Sequence, residues 1–201
     1  MQEMCGFETT VRGWSPWCNV FTHSEWRAFE YARDIIHFYR AGPGTPYSRA
    51  MGHLWLNATK NLLVEGPQSA GPLYFSFVHD GDIVPMLASL GLFEDGQDLP
   101  VTHIMEDRKW KTSQVTPMGG RVLFERLTCA NRKFVRINVN DGIVPLPSCA
   151  DGPGSSCELG RFADYIDAGG RAAGDFRTVC GLPTGAAREP SFLRQPAFAK
   201  A

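Results

Sequence analysis

Apolar positions recur at helical spacing in the first third of the chain and at strand-like spacing in much of the rest. Trp26, Phe29, Ala32, Ile36 and Tyr39 fall on one face of a helix. Thr22 stands before them with Glu25 three positions on, the spacing of a capping box. A helix is therefore predicted to about Arg40, stopped by Ala41-Gly42-Pro43-Gly44. A second helix is predicted over 47–65, ended by Gly66-Pro67. Leu73 to Val78 is short, apolar and rich in aromatics, as a buried strand should be. Ile83 to Leu92 predicts a helix, with Pro85 tolerated in its first turn. Residues 94–114 are polar and irregular, and 121–127 read as a strand. Along 134–139, Val135, Ile137 and Val139 alternate with Arg136 and Asn138, the mark of a half-buried strand. Asn140-Asp141-Gly142 is a strong turn signal. A short helix follows over 159–168, and no internal repeat is present. The predicted class is α/β: a helical segment over 1–70, then part of a mixed central sheet with flanking helices over 71–182, then an extended or mobile tail over 183–201.

The apolar run at 73–78 breaks abruptly into His79-Asp80-Gly81-Asp82 before the next helix. In open α/β sheets ligands bind beyond the carboxyl ends of strands, and anions favour the N-terminus of a following helix. His79 and Asp80 thus stand where a phosphate would sit. The dipeptide by itself is better read as a turn in which Asp80 caps the helix, and Asp82 reads as a structural cap. His37, among apolar residues, reads as a core or boundary histidine; His23 and His103 read as surface residues. Arg108-Lys109-Trp110-Lys111 reads as a solvated loop, with contact to an anionic substrate as the alternative. A metal-dependent hydrolase built on His79, Asp80 and Asp82 would need further ligands at matching spacing, and none is found. No metal and no cofactor is predicted.

Composition narrows the partners. The 201 residues carry a net charge of −1, which gives no reason to expect nucleic acid. An apolar share of 43% supports a packed core, and 21 glycines with 14 prolines imply many irregular connections. No apolar run approaches the ~18 residues of a membrane span. The first residues do not read as a signal peptide. The six cysteines nevertheless suggest an oxidising compartment. Cys149 and Cys157 bracket a short polar loop unable to form a helix, and Cys5 and Cys18 bracket another in the same fashion. Each pair read as a disulfide would stabilise the fold by roughly 2–3 kcal/mol; six reduced thiols are the alternative. Asn57-Ala58-Thr59 is a glycosylation sequon, expected on an exposed helix face and consistent with secretion. A secreted protein would carry its leader upstream of residue 1.

The blocks "FVHDGDIVPML", "SPWCNVFTHSEW", "PMGGRVLFER" and "VRINVNDGIVPL", with the Cys149–Cys157 loop after them, resemble the histidine acid phosphatases, most nearly the secreted fungal acid phosphatases that act as phytases. The likeness runs from about Cys5 to Cys180. It implies a phosphomonoester substrate, transfer of the phosphoryl group to a histidine in an R-H-G-x-R-x-P motif, and no metal. It implies that His79 donates a hydrogen bond to the phosphoryl group and that Asp80 is the general acid. Protonating a poor alkoxide leaving group is typically worth 10²–10⁴-fold in rate. It also implies the pairs Cys5–Cys18 and Cys149–Cys157, with Cys129 and Cys180 bonded to cysteines outside this chain. The chain contains no Arg-His dipeptide, so the nucleophile motif is missing. It therefore resembles the C-terminal portion of such an enzyme, an incomplete histidine-phosphatase-like fold carrying a half-site. A catalytically inactive fragment with a structural or binding role is the alternative.

Overall fold

The computed structural model describes residues 1–187, so the tail expected from 183 lies outside the described residues from 188 onward. Local signals set the first long helix. The Thr22 N–H donates to Glu25 Oε2 (2.7 Å) and the Glu25 N–H donates to Thr22 Oγ1 (3.4 Å), closing the expected capping box. The helix it starts, α2, spans His23–Arg40, after a shorter α1 over Gln2–Arg12. Then come α3 (Ser48–Glu65), α4 (Asp80–Ser89) and a single turn, α5 (Thr112–Val115). Strands β1 (Val122–Cys129), β2 (Arg132–Val139), β3 (Gly142–Ile143) and β4 (Cys157–Glu158) follow, then α6 (Leu159–Ala173) and α7 (Phe176–Val179).

The α/β class stands, and every strand pairing among the described residues is antiparallel. β2 is central. It pairs with β1 along its whole length, from Val122 opposite Val139 to Cys129 opposite Arg132. On its other edge lie β3 and β4. Ala130 and Asn131, both at positive φ, make the tight β1–β2 turn. Asn140-Asp141 makes the next, with Asn140 at φ 57°, as the Asn-Asp-Gly signal predicts. Val135, Ile137 and Val139 are buried, as their alternation predicts. They join Phe162 and Ile166 of α6, Leu56 of α3, and Val84 and Leu87 of α4 in one core. α3 and α4 cross so closely that a Cβ on Gly52 would stand 2.0 Å from the Pro85 carbonyl oxygen. Only glycine permits that approach.

Four expectations change. First, Leu73–Val78 is neither buried nor paired as a strand. Leu73, Phe75 and Phe77 are 65%, 75% and 98% exposed. A buried strand needs partners on both sides and faces, and no described segment lies beside this one in a sheet. Second, α4 begins at Asp80 rather than Ile83. Asp82 Oδ2 accepts from the His79 N–H (3.0 Å), so Asp82 has the structural role expected of it and starts the helix a turn early. Third, the Cys5–Cys18 segment is not a loop throughout: α1 occupies most of it and buries no residue.

Fourth, α2 turns a different face inward. Tyr31, Asp34, His37 and Phe38 are buried, while Ala32, Ile36 and Tyr39 are exposed. The cause lies in the 94–114 segment. Arg108 Nε donates to Asp34 Oδ2 (2.6 Å) and Arg108 Nη2 donates to Glu30 Oε2 (3.0 Å). Asp34 Oδ1 accepts from the Thr112 N–H (2.6 Å), and the Tyr31 hydroxyl donates to the Pro100 carbonyl (2.6 Å). A buried charge must be paired, so this polar tether fixes which face of α2 is covered. Arg108 and Trp110 are consequently buried, so Arg108 is a clamp, while Lys109 is exposed as a solvated loop would have it and Lys111 is half-buried.

Candidate active site

The end of the exposed 73–78 segment delivers His79 and Asp80 to the first turn of α4. Asp80 is the first residue of the helix and its side chain is 43% exposed. Its Oδ1 accepts from the Gly81 N–H (2.9 Å), which holds one edge of the carboxyl. The other oxygen, Oδ2, lies 3.4 Å from His37 Nδ1 and 3.9 Å from Arg40 Nη2. Both partners come from the last turn of α2. The three residues thus meet where the C-terminus of one helix approaches the N-terminus of another. His79 is exposed beside them.

His37 and Asp80 touch without hydrogen-bond alignment, and His37 Nδ1 is closed off from solvent with no hydrogen-bond partner. Burial pushes the His37 imidazole below the ordinary histidine range; the Asp80 carboxylate works against that shift, and the Arg40 and Arg33 guanidinium groups reinforce it. The first-turn N–H groups of α4 are partly taken by protein oxygens. Gly81 serves the Asp80 carboxyl, and Asp82 and Ile83 donate to the His79 carbonyl (3.0 and 3.2 Å). With Asp80 and Asp82 both in that turn, a phosphate there would need cationic groups to balance it. Arg40 is one such group, and it also lines a cavity of about 470 Å³ with Thr45, Tyr47, Met51, Thr178 and Cys180. His79 and Asp80 do not line that cavity.

Sequence reasoning named Asp80 and His79 but missed His37 and Arg40 as their neighbours. Its reading of His37 as buried was correct; the fold alone reveals that Asp80 is what it faces. His23 and His103 are exposed, as expected, and His103 Nδ1 meets Thr102 Oγ1 (3.2 Å). Both expected cysteine pairs, Cys5–Cys18 and Cys149–Cys157, lie at disulfide distance. Cys129 is exposed and Cys180 half-buried, and neither has a disulfide partner among the described residues. Asn57 lies on α3, half-buried like Ala58 and Thr59 rather than on a fully exposed face. Among the described residues, no group of three or more His, Cys, Asp or Glu side chains could hold a metal ion, and no helix is long and apolar enough to cross a membrane.

Comparison with known proteins gives consistent matches. The histidine phosphatase superfamily (branch 2) profile matches residues 1–140. An acid phosphatase of Komagataella pastoris is 38% identical over 188 residues, covering 90% of this chain and 40% of the relative. A phytase of Candida albicans is 37% identical, covering 81% of this chain and 35% of the relative. The crystal structure of a phytase from D. castellii superposes with a TM-score of 0.86 at 30% identity, covering 94% of this chain and 40% of that one. The chain therefore spans about two-fifths of the length of the relatives it matches.

Proposed function

The chain belongs to the histidine phosphatase superfamily, branch 2, and from that premise we propose that it supplies the general-acid half of an acid phosphatase or phytase site. The observation that carries this reading is the exposed Asp80 carboxyl on the first residue of α4, flanked by His79 and approached by Arg40. In this reading the substrate is a small phosphomonoester, inositol hexakisphosphate among the candidates. A histidine ring nitrogen of an R-H-G-x-R-x-P segment, absent from this sequence, bonds to phosphorus as the ester P–O bond breaks. The departing oxygen takes the bond's electron pair and the Asp80 proton. His79 donates a hydrogen bond to the phosphoryl oxygens. Water then attacks phosphorus, the N–P bond breaks, and Asp80 recovers a proton from the water. No metal is required, because arginine and histidine cations balance the phosphate charge.

Two further observations support a half-site. The apolar Leu73–Val78 segment leading to His79 is exposed, as an edge left for another polypeptide would be. Cys129 and Cys180 lack disulfide partners among the described residues, consistent with partners elsewhere. The two disulfide-distance pairs fit a secreted protein, and Asn57 would be its glycan acceptor.

The test is hydrolysis of p-nitrophenyl phosphate at acid pH, by the chain alone and together with a polypeptide carrying R-H-G-x-R-x-P. The chain alone should be inactive and the combination active in the presence of a chelator. Asp80→Asn in the combination should lower kcat about 10²–10⁴-fold at nearly unchanged KM. Activity abolished by chelator, or unchanged turnover in Asp80→Asn, overturns the reading.

A further inference from the structure

His37 is a buried polar group that the proposed chemistry leaves unused. Its side chain is 7% exposed, and it is anchored at the end of α2, where its carbonyl accepts from the Ala41 and Gly42 N–H groups (3.2 and 2.9 Å). A buried ring nitrogen ordinarily has a polar partner in the protein. His37 Nδ1 instead has no hydrogen-bond partner, is sealed from solvent, and lies 3.4 Å from Asp80 Oδ2.

We infer that His37 is a positioning residue for Asp80, a buried imidazole whose Nδ1 edge fixes the free oxygen of the carboxyl at the start of α4. The inference rests on the reading of Asp80 as the general acid. The Gly81 N–H holds Oδ1, so a single further contact at Oδ2 fixes the plane of the carboxyl. Imidazole suits an acid that cycles between two protonation states. A neutral ring protonated at Nδ1 can donate to Oδ2 whether the carboxyl is ionised or not, which leaves the acid's own proton on Oδ1, free for the leaving group. The two atoms are 3.4 Å apart without hydrogen-bond alignment, and poorly aligned contacts of this kind are common in resting sites and tighten when substrate binds. The charged groups bearing on His37 are Asp80 and Arg40 at the site and Arg33 and Asp34 along α2. Burial keeps the ring neutral into more acidic solution, so it orients the carboxyl without adding a cation beside it.

The test has two arms. In the chain itself, NMR pH titration follows the His37 ring nitrogens. Asp80→Asn should lower the His37 midpoint, because it removes the carboxylate that favours the charged ring. In the chain combined with the R-H-G-bearing polypeptide, His37→Phe should lower kcat about 10–100-fold at constant KM, the cost of a misplaced group. His37→Asn should recover most of that loss. A His37 midpoint unmoved in Asp80→Asn, or wild-type turnover in His37→Phe, overturns the positioning role and leaves the phosphatase reading intact. A lowered His37 midpoint in Asp80→Asn with no hydrolysis in any preparation retains the contact and overturns the phosphatase reading.

Discussion

Leu73–Val78 and Ile83–Leu92 are neighbouring apolar runs on either side of His79-Asp80, and they meet opposite fates. In the second, Val84, Leu87, Ala88 and Leu90 are wholly buried against α3, α6 and the sheet. In the first, three large side chains stand in solvent. Hydropathy is similar on both sides, so it does not decide burial. The difference is supply: α3 offers a long face to α4, whereas no strand pairs with 73–78 and only Tyr74 of that segment is partly covered. An apolar run states that a segment should be covered; only the surrounding fold states by what.

Substitutions sharpen that contrast, and urea unfolding of the chain measures each. Leu87→Ala should have the largest effect, a loss of about 2–5 kcal/mol, because the cavity would lie in the middle of the core. A loss below about 1 kcal/mol would show that α4 is not packed as described. Gly52→Ala should cost about 1–3 kcal/mol, since the added methyl meets the Pro85 backbone. An unchanged midpoint would mean that the helices separate freely.

The third effect is smaller and follows pH. Burial lowers the affinity of both His37 and His53 for protons, and Lys60 adds to the shift at His53. The unfolded chain takes up these protons from about pH 6.5 downward while the folded chain resists. Stability is therefore complete above that pH and is lost as pH falls from it toward the folded values. His53→Gln should flatten the decline, and a decline of unchanged steepness would acquit His53. Phe77→Ser should change stability least, by less than about 0.5 kcal/mol, as for a solvent-facing residue. A loss above about 1 kcal/mol would mean that 73–78 is packed in solution.

Much of this was legible from residues alone. The Thr22–Glu25 box, the alternation of β2 and the Asn140-Asp141 turn each declare their structure within a few positions. The inward face of α2 was not, because it is set by Asp34 meeting Arg108, a charge pair formed across a long stretch of chain that periodicity cannot foresee. The same limit hid the site's neighbourhood. His79 and Asp80 announce themselves as a polar break in an apolar run, whereas His37 and Arg40 become their companions only through tertiary approach. Arg108 and Trp110 misled for a related reason: a basic run looks solvated until its partner carboxylates are located.

The near-contact of Gly52 with Pro85 has a consequence for how activity screens would be interpreted. With no side chain between the two backbones, the depth at which α4 seats, and hence the height of the carboxyl at its tip, is set by a residue that has no functional group. Under the proposed function, variants at Gly52 would therefore imitate lesions at Asp80 in a screen scored on turnover, and measuring unfolding alongside would separate a displaced carboxyl from a missing one.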